Sequence, residues 1–221
     1  MALLTLAAVF ACKINTDLDQ PVAIDIVLPD SGRVEVTDTF RPRARALNGI
    51  GDSVQAELSW ASLDTAVLAV LDSTTGVSIS KTIGSARLQA RTGNLFSNPQ
   101  TVTVLTRLDS IRVLGAARNT VFAADSLSDS LQVQAFALGG AIPANRRVVF
   151  TKTTFPASDS MVTLVPKDTV FTNPSTGVAV VQVRLGTGPV PDSVVVTATM
   201  QHVNRTPVQG SPLTFVVEFR P

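Results

Sequence analysis

The sequence predicts an all-β protein built from two tandem antiparallel β-sandwiches. It is rich in valine, threonine and serine and contains 13 glycines and 13 prolines, a combination typical of short strands joined by tight turns. Apolar and polar residues alternate at period two in many short stretches, as strands with one buried face require. A chain of 221 residues is long for one sandwich and accommodates two domains of about 100 residues each.

Residues 1–21 are predicted to be a signal segment and a tether. Residues 1–11 form an apolar run that ends on Cys12, the single cysteine, and this run is shorter than the roughly 20 residues of a spanning helix. The sequence Val-Phe-Ala-Cys at residues 9–12 resembles the lipobox of bacterial lipoprotein signal peptides. The resemblance implies cleavage before Cys12 and lipid attachment to it. Alternatively, Cys12 is an ordinary small residue in a buried N-terminal segment.

The first sandwich is predicted at residues 22–106. Its opening strand, residues 22–28, is followed by a Pro-Asp-Ser-Gly turn at residues 29–32. Residues 40–47 alternate, with Arg41, Arg43 and Arg45 on one face and Phe40, Pro42, Ala44 and Ala46 on the other. Since proline cannot donate a backbone hydrogen bond, Pro42 indicates an edge position or a bulge.

Further strands complete this domain at residues 54–60, 67–71, 77–80, 85–91 and 101–105. The first of them is predicted to place Val54, Ala56, Leu58 and Trp60 inward, and the second is predicted to be a buried strand. Trp60 is the single tryptophan and the chain has no tyrosine. We therefore interpret Trp60 as a core residue and not as a platform for sugar binding.

The order of these elements resembles the group 2 type of bacterial immunoglobulin-like domains. The resemblance covers nearly all of residues 22–105 and rests on Leu58-Ser59-Trp60, Ser62-Leu63-Asp64, residues 67–70, Thr75-Gly76-Val77, residues 83–90 and a closing Thr-Val-Thr-Val. It implies a small sandwich that serves as a spacer, adhesive or scaffolding module at bacterial surfaces. That family has no shared catalytic residue.

The second sandwich is predicted at residues 107–221, because the chain partly repeats itself. Residues 40–49 align without gaps on residues 131–140, and Phe150 is predicted to take the place that Trp60 has in the first domain. Residues 172–183 and 192–199 resemble the closing strands of invasin-type, group 1 bacterial immunoglobulin-like domains. Because no long linker separates the two units, we expect them to have limited freedom to swing.

The charge distribution gives no indication of nucleic-acid binding. The formal net charge is +1, whereas phosphate binding needs clustered lysines and arginines. The pair Arg146-Arg147 and the arginines at positions 41, 43 and 45 are interpreted as solvated strand faces.

The sequence also offers few groups for catalysis or for metal binding. His202 is the sole histidine and lies in a polar stretch, Gln201-His202-Val203-Asn204, so it is interpreted as a solvated loop residue. The sequence has no nucleophile elbow and no phosphate loop. Asp17 with Asp19, and Asp125 with Asp129, offer too few oxygens for Ca²⁺ and are interpreted as turn residues. We therefore predict no catalytic residue, no metal, no cofactor and no small-molecule substrate.

The predicted function is protein–protein contact by a non-catalytic, membrane-anchored protein in the bacterial periplasm or at the cell surface. The favoured role is an extrinsic accessory or structural subunit of a membrane-embedded complex, held to the membrane by an N-terminal lipid or apolar segment. The alternatives are a cell-envelope adhesion or spacer module and, ranked lower, a carbohydrate-binding or hydrolase accessory.

Overall fold

The computed structural model describes residues 19–122, 125–157 and 162–220. Within these ranges the secondary structure consists of strands and two short 3-10 turns, which confirms the predicted all-β class. None of the described residues belongs to a helix long and apolar enough to cross a membrane. Cys12 and Asp17 lie outside the described residues, so the lipid attachment and the signal segment remain predictions.

The first sandwich contains the strands up to Leu105, which pair only with one another. In chain order they are β1 (Ala23–Val27), β2 (Arg33–Glu35), β3 (Thr39–Phe40), β4 (Arg43–Leu47), β5 (Ser53–Val54), β6 (Ser59–Ser62), β7 (Leu68–Val70), β8 (Ser78–Ser80), β9 (Gly84–Thr92), β10 (Leu95–Phe96) and β11 (Gln100–Leu105). One sheet has the order β10-β9-β11-β2 with β6 paired to β9, and the facing strands form the sheets β1-β4-β5 and β3-β8-β7.

The second sandwich contains the strands from Leu108 onward, which again pair only among themselves. They are β12 (Leu108–Leu114), β13 (Arg118–Phe122), β14 (Leu131–Ala137), β15 (Arg147–Phe155), β16 (Val162–Val165), β17 (Thr169–Phe171), β18 (Val178–Leu185), β19 (Ser193–Met200) and β20 (Leu213–Arg220). Two sheets face each other, with the orders β12-β14-β18-β16 and β13-β20-β19-β15-β17.

The two domains share one immunoglobulin-like topology. In each, a short second strand runs parallel to the last strand, β2 to β11 and β13 to β20, while the other pairs are antiparallel. The predicted repeat is visible in the register, because Ile26 pairs with Ala44 as Ile111 pairs with Ala135. The chain is therefore two tandem immunoglobulin-like β-sandwiches.

Each domain has its own hydrophobic core, drawn from both of its layers. In the first, Trp60 is 5% exposed and lies opposite Ala90. In the second, Phe150 is 1% exposed and lies opposite Ala198, on the equivalent strand pair. The prediction that Trp60 is a core residue, with Phe150 in its place in the second domain, is confirmed.

Pro42 explains why one layer of the first domain is divided. In the second domain the equivalent strand, β14, is continuous and joins β12 to β18 in one sheet. In the first domain that strand is interrupted between Phe40 and Arg43, so β3 pairs with β8 while β4 pairs with β1. Proline lacks the backbone N–H that the ladder needs. The predicted irregularity at Pro42 is therefore a break at which the strand divides between two small sheets.

Two predicted strands differ from the observed ones. The stretch at residues 54–60 is not one strand, because β5 ends at Val54, β6 begins at Ser59, and the predicted inward residues Val54, Ala56 and Leu58 are only half-buried. The stretch at residues 67–71 is reduced to β7, in which only Leu68 is buried, whereas Leu71 is 65% exposed. Leu71 lies beyond the last residue pair that joins β7 to β8.

The same turn precedes β8 and β18. In the first domain the Asp72 carboxylate accepts hydrogen bonds from the backbone N–H groups of Thr74 and Thr75, and in the second the Asn173 amide oxygen accepts from Ser175 and Thr176. Each turn ends on a glycine in the left-handed region, Gly76 with φ +75° and Gly177 with φ +68°. An added Cβ at Gly76 would lie 2.7 Å from Cε2 of Trp60, so Gly76 fixes the position of the indole.

We expect Gly76→Ala to destabilise the first domain by several kcal/mol. The left-handed conformation costs an alanine about 1–2 kcal/mol, and the clash with Trp60 adds overpacking of about 1–3 kcal/mol. Gly93→Ala is the matched control, because Gly93 has φ +53° and no atom within 4 Å of an added Cβ. Chemical denaturation followed by Trp60 fluorescence measures both variants. Equal midpoints for the two variants would contradict the packing of Trp60 on Gly76.

We expect the stabilising effect of Asp72 to depend on pH. The hydroxyl of Thr75 and the backbone N–H groups of Thr74 and Thr75 donate to this carboxylate and hold its pKa below the ordinary value. The folded state therefore favours the ionised form, and its stabilisation is present above a pH of about 4 and lost as the pH falls further. Denaturation midpoints of Asp72→Ala should thus lie below those of the wild type at pH 7, and the difference should narrow in acid to the part that a neutral side chain provides in this turn.

Asp72→Asn is the control for this experiment, because Asn173 occupies the same turn in the second domain. It should retain the turn at pH 7 and lose the pH-dependent part of the stabilisation. A difference between wild type and Asp72→Ala that stays constant down to pH 2 would be inconsistent with this role of Asp72.

Candidate functional site

The junction between the two sandwiches contains the buried charged residues Glu35 and Arg146. Strand β11 ends at Leu105 and β12 begins at Leu108, so the two cores are joined by only Thr106 and Arg107. The carbonyl of Arg107 accepts a hydrogen bond of 2.9 Å from the backbone N–H of Leu138. A connection this short brings the end of β2 against the loops of the second domain.

Glu35 is the central residue of this junction. It is the last residue of β2 and is 0% exposed. One carboxylate oxygen, Oε1, accepts from the guanidinium of Arg146, while Oε2 accepts from Nδ1 of His202 at 2.8 Å and from the backbone N–H of Leu108 at 3.3 Å. A residue of the first domain is thus bound by three groups that lie beyond the linker.

Arg146 carries the opposite charge and is also buried, with 7% of its side chain exposed. Its Nη1 donates to the carbonyl of Thr106 in the linker at 3.0 Å, and its backbone N–H donates to the hydroxyl of Thr172 at 2.8 Å. The planar guanidinium presents several donors in a fixed arrangement. One side chain therefore binds the first domain and the linker at the same time.

His202 reaches Glu35 from the turn between β19 and β20. Backbone hydrogen bonds from His202 to Thr206 and from Arg205 to His202 close this turn, and 14% of the His202 side chain is exposed. An ionised carboxylate only accepts hydrogen bonds, so its partner Nδ1 carries the proton. The imidazole can make this bond in its neutral form as well as in its charged form.

A second ion pair lies beside the first. The guanidinium of Arg107, in the linker, binds the carboxylate of Asp38, whose side chain is 17% exposed, and the backbone N–H of Asp38 donates to the carbonyl of Glu35 at 3.0 Å. The hydroxyl of Ser80 donates to the same carbonyl at 2.5 Å. Glu35 is thus held on its backbone by the first domain and on its side chain by the second.

Two interpretations made from the sequence are wrong at this site. His202 is not a solvated loop residue, because its ring packs against the buried Glu35. Arg146 is not part of a solvated face, whereas its neighbour Arg147 is exposed, as are the arginines at positions 41, 43 and 45. The alternation of β15 directs Arg147 outward, and Arg146 precedes that strand and turns toward the linker.

The pair of Glu35 and His202 resembles the acid–histidine part of a catalytic triad but lacks the third member. In the described ranges no serine, threonine or cysteine side chain is hydrogen-bonded to His202, and nucleophilic catalysis needs that contact. No group of three or more histidine, cysteine, aspartate or glutamate side chains in these ranges could hold a metal ion. Asp19, Asp125 and Asp129 are exposed. The contacts among Glu35, Arg146 and His202 are a buried ion pair and charged hydrogen bonds.

Comparison with known proteins gave matches only among solved structures. No family model and no curated protein matches the sequence. The adhesin InvE of Yersinia pseudotuberculosis aligns over 89% of this chain and 59% of its own with 16% identity and a TM-score of 0.43. A structure of domains 4 and 5 of the S-layer protein SbsC aligns over 91% of this chain and 100% of its own, with 12% identity and a TM-score of 0.35.

The D00-D0 domain of intimin aligns over 90% of this chain and 100% of its own with 17% identity and a TM-score of 0.31. The present chain spans less than two thirds of the InvE chain. At these identities and TM-scores the alignments carry no functional argument, and the fold assignment rests on the strand pairing of this chain itself.

We expect Glu35→Ala to lower the free energy of unfolding by about 3–5 kcal/mol, because it leaves the buried guanidinium of Arg146 without its counter-ion. Replacing both partners, in Glu35→Leu with Arg146→Met, should restore most of the loss, since the pair also carries a large desolvation cost. Asp25→Ala is the control. It removes an exposed ion pair with Arg45 and should cost less than about 1 kcal/mol.

Urea denaturation followed by Trp60 fluorescence and by circular dichroism measures these variants. A midpoint for Glu35→Ala equal to that of Asp25→Ala would show that the junction contributes nothing to stability.

Proposed function

We propose that this protein is a non-catalytic contact module of the bacterial cell envelope, in which two immunoglobulin-like sandwiches are held in one fixed orientation. The observation that carries the proposal is the buried Glu35, bound by Arg146, His202 and the backbone of Leu108. The resemblance of residues 22–105 to bacterial immunoglobulin-like domains supports the envelope location.

The physical argument concerns the cost of domain rotation. Interfaces between domains of one chain usually permit relative motion unless they are large and apolar. Here rotation would separate the carboxylate of Glu35 from its buried partners, and an unpaired buried charge is strongly unfavourable. The junction therefore favours a single angle between the sandwiches, which gives loops at the two ends of the molecule a defined spacing.

A fixed orientation is useful in both of the settings predicted from the sequence. An accessory subunit of a membrane-embedded complex has to present its docking surface at one height and one angle above the bilayer. An adhesion or spacer module has to keep its two ends at a fixed distance, without one domain folding back on the other. We keep the subunit as the favoured setting, with membrane attachment through Cys12, and the adhesion or spacer module as the alternative.

The orientation is tested by measuring a distance between the domains. In a chain with Cys12→Ser, spin labels on Lys81→Cys and Ser175→Cys, which are exposed positions in different sandwiches, should give a narrow distance distribution in pulsed electron resonance. Adding Glu35→Ala should broaden the distribution, because the second domain then loses its buried anchor. Adding Asp25→Ala, which acts within the first domain, should leave it narrow.

A broad distribution in the parent protein would overturn the proposal. A narrow distribution that Glu35→Ala leaves unchanged, with both domains folded by circular dichroism, would instead show that another contact sets the angle.

A further inference from the structure

A cleft of about 740 Å³ lies beside the junction and is lined by both sandwiches. One wall is the outer face of the second domain, where Val149 of β15 pairs with Thr199 of β19. The first domain contributes Asp30, Ser31 and Arg33, which belong to the 3-10 turn Pro29–Gly32 and to β2. Because the cleft exists only while the two sandwiches keep their orientation, it rests on the proposed function.

The side chains that line the cleft give it a positive charge. Arg33, Arg146, Arg147 and Arg205 face it, against one carboxylate, that of Asp30. Arg146 is neutralised by Glu35, and Arg205 lies 3.6 Å from Asp30. Arg33 and Arg147 are exposed and form no ion pair with any described residue. Two guanidinium groups from different domains are thus available to an anionic ligand.

The backbone around the cleft is unusual as well. Non-glycine residues in the left-handed region, within the described ranges, are Asp30, Ser31, Thr37, Ser126, Asn145 and Arg205. Four of these six line the cleft, namely Asp30, Ser31, Asn145 and Arg205. This conformation is unfavourable for most residues with a side chain, less so for aspartate and asparagine, and strained residues tend to cluster at ligand sites. The concentration of such residues here is independent of the charge argument.

We propose that this cleft binds an acidic segment of a partner protein, with Arg33 and Arg147 each receiving a carboxylate. Guanidinium groups bind carboxylates through paired hydrogen bonds, and arginine is enriched at protein interfaces. The apolar side chains of Leu105, Val149 and Val203 lie among the polar lining residues, which suits a peptide that alternates acidic and aliphatic residues. The lining contains no tryptophan, tyrosine or phenylalanine side chain on which a sugar ring would stack.

The test uses the full chain and a fluorescein-labelled octapeptide of alternating glutamate and valine, with binding followed by fluorescence anisotropy. We expect saturable binding that weakens as NaCl is raised, and no binding of the matched glutamine–valine peptide. The double variant Arg33→Ala with Arg147→Ala should weaken binding by about tenfold or more, because each lost hydrogen bond to a charged group is substantial.

Arg43→Ala with Arg184→Ala is the matched control. It removes the same charge from one exposed arginine in each domain, at positions outside the cleft, and should bind the peptide as the parent does. An equal loss of affinity in both double variants would show that the peptide responds to net charge alone and would overturn the proposal. So would absence of binding to the parent.

A galacturonic-acid hexamer provides the competing ligand. If it bound more tightly than the peptide and lost its affinity in Arg33→Ala with Arg147→Ala, the cleft would be a polysaccharide site and the peptide assignment would be overturned. A narrow inter-domain distance without peptide binding would overturn this inference alone, whereas a broad distance distribution would overturn the proposed function.

Discussion

The buried carboxylate of Glu35 is the interaction on which the arrangement of the two domains depends. A charge with no access to solvent needs partners, and each side-chain partner that Glu35 has belongs to the second domain. The same charge therefore makes separation of the domains unfavourable and selects the angle at which Arg146 and His202 can reach it. An apolar interface of similar size would favour contact without selecting one angle as strictly, since apolar burial is non-directional.

The junction also explains why so short a linker is sufficient. Arg146 binds the carbonyl of Thr106, Arg107 binds Asp38, and the N–H of Leu108 binds Glu35. Both linker residues and the first residue of β12 thus take part in side-chain contacts, and the linker behaves as part of the interface. A longer linker would have lowered the effective concentration of the two domains for each other and weakened the same contacts.

The sequence was sufficient for the fold class, although not for every strand, because the signals of an all-β fold are local. Period-two alternation, the Thr-Gly-Val turns before β8 and β18, and the burial of Trp60 and Phe150 each follow from residues close together in the chain. The break at Pro42 was also foreseen as an irregularity, although its consequence was not, since the division between β1 and β8 depends on which strands lie on either side.

The junction was not predictable in the same way, because Glu35, Arg146 and His202 are separated by 111 and 56 positions and none belongs to a motif. Taken alone, each of these residues is of a type that is often found at the protein surface. Glu35 lies between Val34 and Val36 at the end of a short strand, and His202 lies in a polar turn. Their role is visible only when the tertiary structure places a guanidinium and an imidazole against a carboxylate that has no solvent exposure. The one compositional signal that could have indicated this site is that His202 is the sole histidine. Because His202 binds Glu35 and also lines the cleft, the buried carboxylate helps to hold one wall of the cleft in place.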